Sequence, residues 1–401
     1  MKPIDAVCPC CGGRGLQQFY AVDSIPVNSC LIVPTRQRAL TFPRGNLRIA
    51  FCEACGFITN TSFDLERLVY DETYEETQTF SPRFNEFQEA LVRELIDRYG
   101  LRRKRVLEIG CGKGDFLALL CELGDNEGIG IDPTSVHDRL DRAVADRIRF
   151  VNEFYSAKHA AIDTDFLCCR HALEHVPDVA GFLATLGRAV GKRTIPIFFE
   201  VPETLRVLRE AAYWDIYYEH CSYFTPGSLA RLFETHDFEV SRVSVAYDDQ
   251  YLMLDARRPA GLPLRRCQDV DRPEDVAAEI EAFERSIERK LDTWRAYFDH
   301  VRRQGRKIVI WGSGSKCVAF LTTIGVTDEI EYVTDVNPHR HGKFIVGAGK
   351  EIVPPAFLKS YRPDEIIVMN PIYRDEVAAA AAAMDLDARI ITSEEPLEAL
   401  A

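Results

Sequence analysis

The chain has 401 residues, 46% hydrophobic and 28% charged, the composition of a soluble globular protein of two or three domains with no apolar run long enough to span a bilayer. A formal charge of −13 argues against a protein whose main partner is a nucleic-acid backbone, because that function needs a basic surface. Thirteen cysteines behind an MKPIDAVCPCC start, which has no apolar export segment, are expected as thiols or metal ligands in a cytoplasmic protein and not as a disulfide framework.

Residues 1–70 carry short strand-like runs such as LRIAFC between turn residues, and many of the cysteines. Cys8 with Cys11, and Cys52 with Cys55, form two C-x-x-C pairs. Two such knuckles can close a tetrahedron around one Zn²⁺, each thiolate roughly 2.3 Å from the ion, with no position left for substrate. The site would therefore be structural; free thiols or a redox pair are the other readings, and Cys10 competes for a place.

From 81 to 99, Phe84, Phe87, Leu91, Leu95 and Ile96 recur at helical spacing. RKRVLEIGCGKGDFLALLCELG then reads as strand, glycine turn and helix, and GIGID as the next strand. DFLCC and IPIFFEVP continue the alternation, which predicts a parallel sheet with helices on both faces. A charged amphipathic helix over 273–303, stopped by Gly305, is expected to pack between domains. KIVIWGSGSKCVAFLTTIG, IEYVTDVNP and EIIVMNP then give the strands of a second, smaller Rossmann-like unit. The expected domains are 1–70, 71–262 and 263–401, in an α/β fold.

VLEIGCGKGDF places Glu108, Gly110, Gly112 and Gly114 between a strand and a helix N-terminus, where glycines let a ligand approach the backbone. The G-x-G-x-G spacing differs from the G-x-G-x-x-G of nicotinamide and flavin binders. It resembles motif I of class I S-adenosylmethionine-dependent methyltransferases. The resemblance implies that this turn meets the methionine end of the cofactor, that Glu108 and Phe116 share the site, and that Asp132 of GIGID holds the ribose hydroxyls. FLCCRHALEHVPDV then falls where such enzymes face substrate. His171 and His175, four apart, are expected on one helix face. A substrate-site role is expected for His175, and for His171 either that or a satisfied structural histidine.

WDIYYEHCSYF, 214–224, sets Glu219 and His220 among aromatic rings. Alone it reads as a general base with its orienting carboxylate, half a metal site, or a hydrogen-bonded core histidine. A methyl donor needs a nucleophile, and carbon becomes one by losing a proton next to a carbonyl, a task suited to histidine. His220 is then the candidate base, Glu219 can orient it, and Tyr217, Tyr218 and Tyr223 can bond an enolate oxygen or line a sugar face.

Taken together, the paired C-x-x-C, the Y-x-E-H-x-x-Y-F block at Tyr217, Glu219, His220, Tyr223 and Phe224, His175 in LEHVPD, and WGSGSK with YVTDVNPHRHGKFIVG resemble the three-domain C-methyltransferases of nucleotide-linked keto-deoxysugars. This near end-to-end resemblance implies an N-terminal zinc-binding domain, a central class I S-adenosylmethionine domain and a C-terminal Rossmann-like domain. It implies His220 as the base beside a 4-keto group, with Tyr217, Glu219, His175 and Tyr74 at the site, and Lys316 and Asn337 at the nucleotide or inter-domain face. Tyr70 and Tyr74 match, but Glu75, Glu76, Thr77 and Gln78 follow where the sugar enzymes carry a more aromatic, serine-rich stretch, so the acceptor's identity stays open. O- or N-methylation, a nicotinamide-dependent oxidoreductase using WGSGSK, and a non-catalytic scaffold are the competing readings.

Overall fold

In a computed structural model of the chain, residues 1–136, 138–259, 267–268, 270–325 and 329–395 are described; the expected division at 262/263 lies outside the described residues. β1 (Lys2–Val7), β2 (Arg14–Pro26), β3 (Arg44–Phe51) and β4 (Ile58–Asn60) form an antiparallel sheet. Its fifth strand, Ser222–Tyr223, comes from far along the chain and pairs with Ile58 and Thr59. Tyr20, Leu47, Ile49 and Phe51 turn their side chains into the core beneath the sheet.

The helix Pro82–Tyr99 starts where the Ser81 hydroxyl accepts from the Phe84 N–H at 3.3 Å and stops at Gly100, φ 62°. It buries Phe84, Leu91, Val92, Leu95 and Ile96. β5 (Arg105–Ile109), β6 (Glu127–Ile131), β7 (Ile148–Val151), β8 (Phe166–Arg170) and β9 (Ile197–Pro202) follow; β10 is Ser222–Tyr223, and β11 (Glu239–Ala246) and β12 (Tyr251–Arg257) close the unit. The seven-stranded order is β11-β12-β9-β8-β5-β6-β7. It is parallel from β9 to β7, as the strand-helix alternation predicts, while β11 and β12, which that reading does not include, are antiparallel. A tight hairpin after β11, where Tyr247, Asp248 and Asp249 adopt φ of 54°, 57° and 56°, returns the chain antiparallel beside its own strand.

The long helix Pro273–Gln304, ended by Gly305 at φ 65°, buries Phe283, Ile287, Leu291 and Trp294 along one face. Phe19 and Tyr20 of β2 meet Phe283 edge-on, and Trp294 meets Phe320 of the helix Ser315–Ile324. Each such buried side chain contributes about 1.5–3 kcal/mol, so the helix fastens the first sheet to the last. That last sheet is all parallel, ordered β15-β14-β13-β16-β17 from β13 (Ile308–Trp311), β14 (Ile330–Thr334), β15 (Glu351–Val353), β16 (Glu365–Val368) and β17 (Arg389–Thr392). The edge strands β15 and β17 are not among the strands read from the sequence. No helix among the described residues is long and apolar enough to cross a membrane.

Candidate active site

Two glycine turns face one cavity of about 640 Å³. In the first, Gly110, Gly112 and Gly114 hold φ of 72°, 52° and 88°. A Cβ on them would overlap Ala172, the Glu76 carboxylate and the Phe150 ring respectively. The Gly110 N–H donates to the Ile131 carbonyl at 2.8 Å, and the Gly112 N–H to Asp132 Oδ2 at 3.0 Å. The second turn repeats the device: the Gly312 N–H donates to the Thr334 carbonyl at 2.9 Å and the Ser313 N–H to Asp335 Oδ2 at 2.8 Å. In each, the acid closing the second strand fixes the turn that follows the first.

Glu108, Phe116 and Asp132 all line the cavity. The Arg170 guanidinium lies 3.9 Å from the centroid of the Phe116 ring and donates to Glu200 Oε1 at 2.6 Å. Arg170 and Glu200 are in register on β8 and β9. Burial alone would raise Glu200, yet Arg170 and His171 draw it down to about 2. Glu108 and Glu76 each keep an Oε2 with no partner among the described residues. Burial pushes Glu108 up to about 8 against the opposing charge of Arg170, and pushes Glu76 up to about 8 against that of Lys113.

His171 and His175 do not share a helix face. His171 sits at φ 49°, ahead of the single turn Leu173–His175, so the two rings diverge. His171 Nε2 lies 2.8 Å from Glu200 Oε1 and Nδ1 3.6 Å from Glu174 Oε1. Burial works against its charge, but the two carboxylates prevail and raise it to about 9. His175 Nδ1 and the Tyr70 hydroxyl share a hydrogen bond at 3.0 Å.

His220 meets Tyr217 with ring centroids 4.1 Å apart, and among the described residues no protein group bonds its ring nitrogens. Burial, followed by the charges of His175, His171 and Lys316, holds its pKa well below the ordinary histidine value. Its neighbour Cys221 is tied on both sides. The Cys221 N–H donates to the Glu174 carbonyl at 3.0 Å, and the Cys221 carbonyl accepts from the Asn60 N–H at 3.0 Å and the Thr59 hydroxyl at 2.8 Å. β10 begins at the next residue, so β4 carries the His220 loop. Glu174, His175 and His220 bring their ligand atoms within 4.8 Å of one another.

Other residues of the block point elsewhere. Glu219 does not line the cavity: its carboxylate accepts from Asn28 Nδ2 at 3.0 Å, the Ser29 N–H at 3.0 Å and the Ser29 hydroxyl. Tyr218 runs into the N-terminal sheet, where its hydroxyl accepts from the Asp64 N–H at 2.9 Å. Tyr223 donates to the Tyr217 carbonyl at 3.3 Å. Consecutive residues of an irregular segment diverge, so Glu219 and Tyr218 are removed from contact with a ligand that His220 faces. Tyr217, Tyr74 and Lys316 do line the cavity; Tyr74 packs on Tyr70 at 5.2 Å, and Lys316 pairs with Asp215. Asn337 Nδ2 donates to Glu75 Oε1 at 3.0 Å. Sequence reasoning missed Arg170, Glu174 and Glu200. The available signal was a charged residue in each of two otherwise apolar strands, Arg170 in FLCCR and Glu200 in IFFEVP.

The Sγ atoms of Cys8, Cys11, Cys52 and Cys55 lie within 4.8 Å of one another, with Cys8 to Cys55 and Cys11 to Cys52 both at 3.7 Å. Bonds of ~2.3 Å in a tetrahedron put sulfurs about 3.8 Å apart. The two knuckles are built alike. Cys8 N–H donates to the Gly13 carbonyl and Gly12 N–H to the Cys8 carbonyl; Cys52 N–H donates to the Phe57 carbonyl and Gly56 N–H to the Cys52 carbonyl. Cys10 stands outside this four-thiol group.

Comparison with known proteins gives two family matches: "Methyltransferase domain" over residues 84–243, and "C-methyltransferase C-terminal domain" over 271–393. The C-methyltransferase NovU of Streptomyces niveus is 24% identical over 395 residues, covering 94% of this chain and 92% of its own. Magnesium protoporphyrin IX methyltransferase (ChlM) from Synechocystis PCC 6803, solved with bound SAH, has TM-score 0.35 at 15% identity, covering 44% of this chain and 84% of its own. Geranyl diphosphate C-methyltransferase from Streptomyces coelicolor A3(2) has TM-score 0.35 at 12% identity, covering 44% and 82%.

Proposed function

We propose that the chain is an S-adenosylmethionine-dependent C-methyltransferase whose acceptor is a small keto metabolite with a nucleotide handle, such as a nucleotide-linked keto-deoxysugar, methylated on the carbon beside the carbonyl. One observation carries this reading: the neutral His220 imidazole, its ring nitrogens without a partner among the described residues, faces the cavity that both glycine turns line.

The residues present fit the cofactor. The Gly112 position has no room for a side chain, and two buried carboxyl oxygens, on Glu108 and Glu76, lack partners among the described residues, as a cationic ligand requires. Glu108, Gly110, Gly112, Gly114, Phe116 and Asp132 would hold S-adenosylmethionine, which supplies an electrophilic methyl group when bound. His220 takes the proton from the acceptor carbon, since its depressed pKa leaves the lone pair available at neutral pH. Tyr217, Tyr74 and His175 line the acceptor site and stabilise charge on the enolate oxygen. Glu219 serves as a positioning residue, anchoring the His220 loop on Asn28 and Ser29. Lys316 and Asn337, beside the second turn, receive the nucleotide handle. Cys8, Cys11, Cys52 and Cys55 hold a structural Zn²⁺ that stiffens β4 and, through β10, the His220 loop.

The test is to incubate the protein in D₂O with S-adenosylhomocysteine and a panel of nucleoside-diphosphate 4-keto-6-deoxyhexoses. We expect deuterium to enter the carbon next to the carbonyl. Absence of exchange there, with methyl transfer to a hydroxyl or amine of the acceptor when S-adenosylmethionine is supplied instead, would replace carbon chemistry by O- or N-methylation.

A further inference from the structure

We propose that Glu76 is a cofactor-binding residue: its carboxylate receives the α-ammonium group of S-adenosylmethionine and releases a proton to solvent as the cofactor binds. The inference rests on the cofactor site described above and adds a residue from the stretch where this chain departs from the sugar enzymes it resembles.

The stretch is held on both sides of Glu76. The Glu75 N–H donates to the Cys30 carbonyl at 2.9 Å. Its carboxylate accepts from Arg139 at 3.1 and 2.6 Å and from Asn337 at 3.0 Å, and its carbonyl accepts from Arg340. The Thr77 hydroxyl donates to Asp115 Oδ2 at 3.2 Å. Residues from the N-terminal, central and C-terminal parts of the chain thus clamp the backbone around Glu76, leaving its side chain little freedom to swing away. The carboxylate lies against the first turn, close enough that a Cβ on Gly112 would overlap Oε1, while Oε2 is shut off from solvent with no partner among the described residues.

The charges facing Glu76 do not satisfy it. The Lys113 ammonium is bound to the carbonyls of Thr134 at 2.7 Å and Glu72 at 3.3 Å. Arg139 is committed to Glu75, and Asp132 and Glu75 carry the same sign as an ionised Glu76. Burial therefore keeps the acid protonated up to about pH 8 while no ligand is present. A cation placed beside it reverses the balance, because an ion pair with an N–H donor favours the carboxylate. The cofactor has two cationic groups, but a sulfonium has no hydrogen to donate and must keep its methyl toward the acceptor, which leaves the ammonium. The step balances as loss of the Glu76 carboxyl proton to solvent and gain of an ammonium–carboxylate hydrogen bond.

The experiment is titration calorimetry of the full chain at pH 7.5 in two buffers of different ionisation enthalpy. S-adenosylhomocysteine is the first ligand, and 5′-methylthioadenosine, which lacks the ammonium, is the second. The wild type is expected to release most of one proton with the first ligand and none with the second. Glu76→Gln, isosteric with the protonated acid, is expected to bind S-adenosylhomocysteine at least tenfold more weakly without proton release, yet to bind methylthioadenosine as the wild type does. Because Glu108 titrates in the same range, persistence of the release in Glu76→Gln would move the proton to Glu108 and overturn the proposal. Unchanged affinity in the variant, or equal losses for both ligands, would also overturn it. A wild type that binds neither ligand would instead overturn the cofactor site on which the proposal rests.

Discussion

The imidazoles of His175 and His220 meet edge to face, centroids 4.9 Å apart with planes at 86°, and the Cys221 N–H bond to the Glu174 carbonyl, 3.0 Å long, joins their chain segments. If His220 is the base, His220→Ala should lower turnover about 10²–10⁴-fold, the usual contribution of a positioned proton acceptor. S-adenosylhomocysteine affinity by calorimetry should stay within about twofold, because no cofactor-site residue has moved. Glu219→Gln should lower turnover less, as a loosened loop still carries the imidazole. A His220→Ala protein that keeps most of its activity would remove His220 from the chemistry.

With His220 as the proposed base, its depressed pKa should set the acid limb of the pH profile. The base must be neutral, and burial holds its pKa below 6.5, so kcat/KM should not fall between pH 7 and 6.5 on account of this group. The fall should come only as pH drops further, through the lowered pKa. The linked effect on stability has the same direction: below pH 6.5 the unfolded chain takes up a proton that the native imidazole refuses, so the native state weakens as pH falls. A kcat/KM profile with an acid limb centred above 6.5 would contradict the environment described.

His171 behaves oppositely. Its pKa is raised from 6.5 to about 9, so its contribution to stability is complete below pH 6.5 and is lost as pH rises through 9. Melting temperature followed from pH 6 to 10 should decline over that window in the wild type, and the decline should flatten in His171→Asn.

Cys52→Ser should lose bound zinc and lower the melting temperature. Turnover should fall with it, because the Cys52–Cys55 knuckle leads into β4, which pairs with β10 just after His220. Cys10→Ser should retain about one zinc per chain by metal analysis, as Cys10 lies outside the four-thiol group. Zinc lost equally from both variants would require a different ligand set.

Gly110→Ala and Gly112→Ala should differ although both place a side chain at positive φ. The new methyl at 110 meets Ala172, which cannot yield without moving backbone; at 112 it meets the end of the flexible Glu76 side chain. Gly110→Ala should therefore cost more in thermal stability, while Gly112→Ala should stay folded and lose cofactor affinity. Calorimetry alongside thermal melts separates the two.

What the sequence determined by itself is local. The first glycine turn, the two cysteine knuckles, the helix ended by Gly100 and the strand-helix alternation are written in spacings of a few residues, where backbone geometry follows from residue type. Sequence patterning also exposed Asp132, since the acid after the second strand belongs to the same short unit as the turn it binds.

Only the tertiary structure decided which way individual side chains face and what they meet. Tyr217, Tyr218, Glu219 and His220 are consecutive, yet one lines the cavity with His220 while Tyr218 and Glu219 are taken by Asp64 and by Asn28 and Ser29. The short strand just after His220 pairs with the first sheet, and the second glycine turn shares the first turn's cavity through contacts between residues far apart in sequence, such as Asn337 with Glu75 and Gln250 with Asn370. The state of Glu76 is likewise collective: desolvation and the competing commitments of Lys113 and Arg139 set it, and these depend on chain segments far apart in sequence.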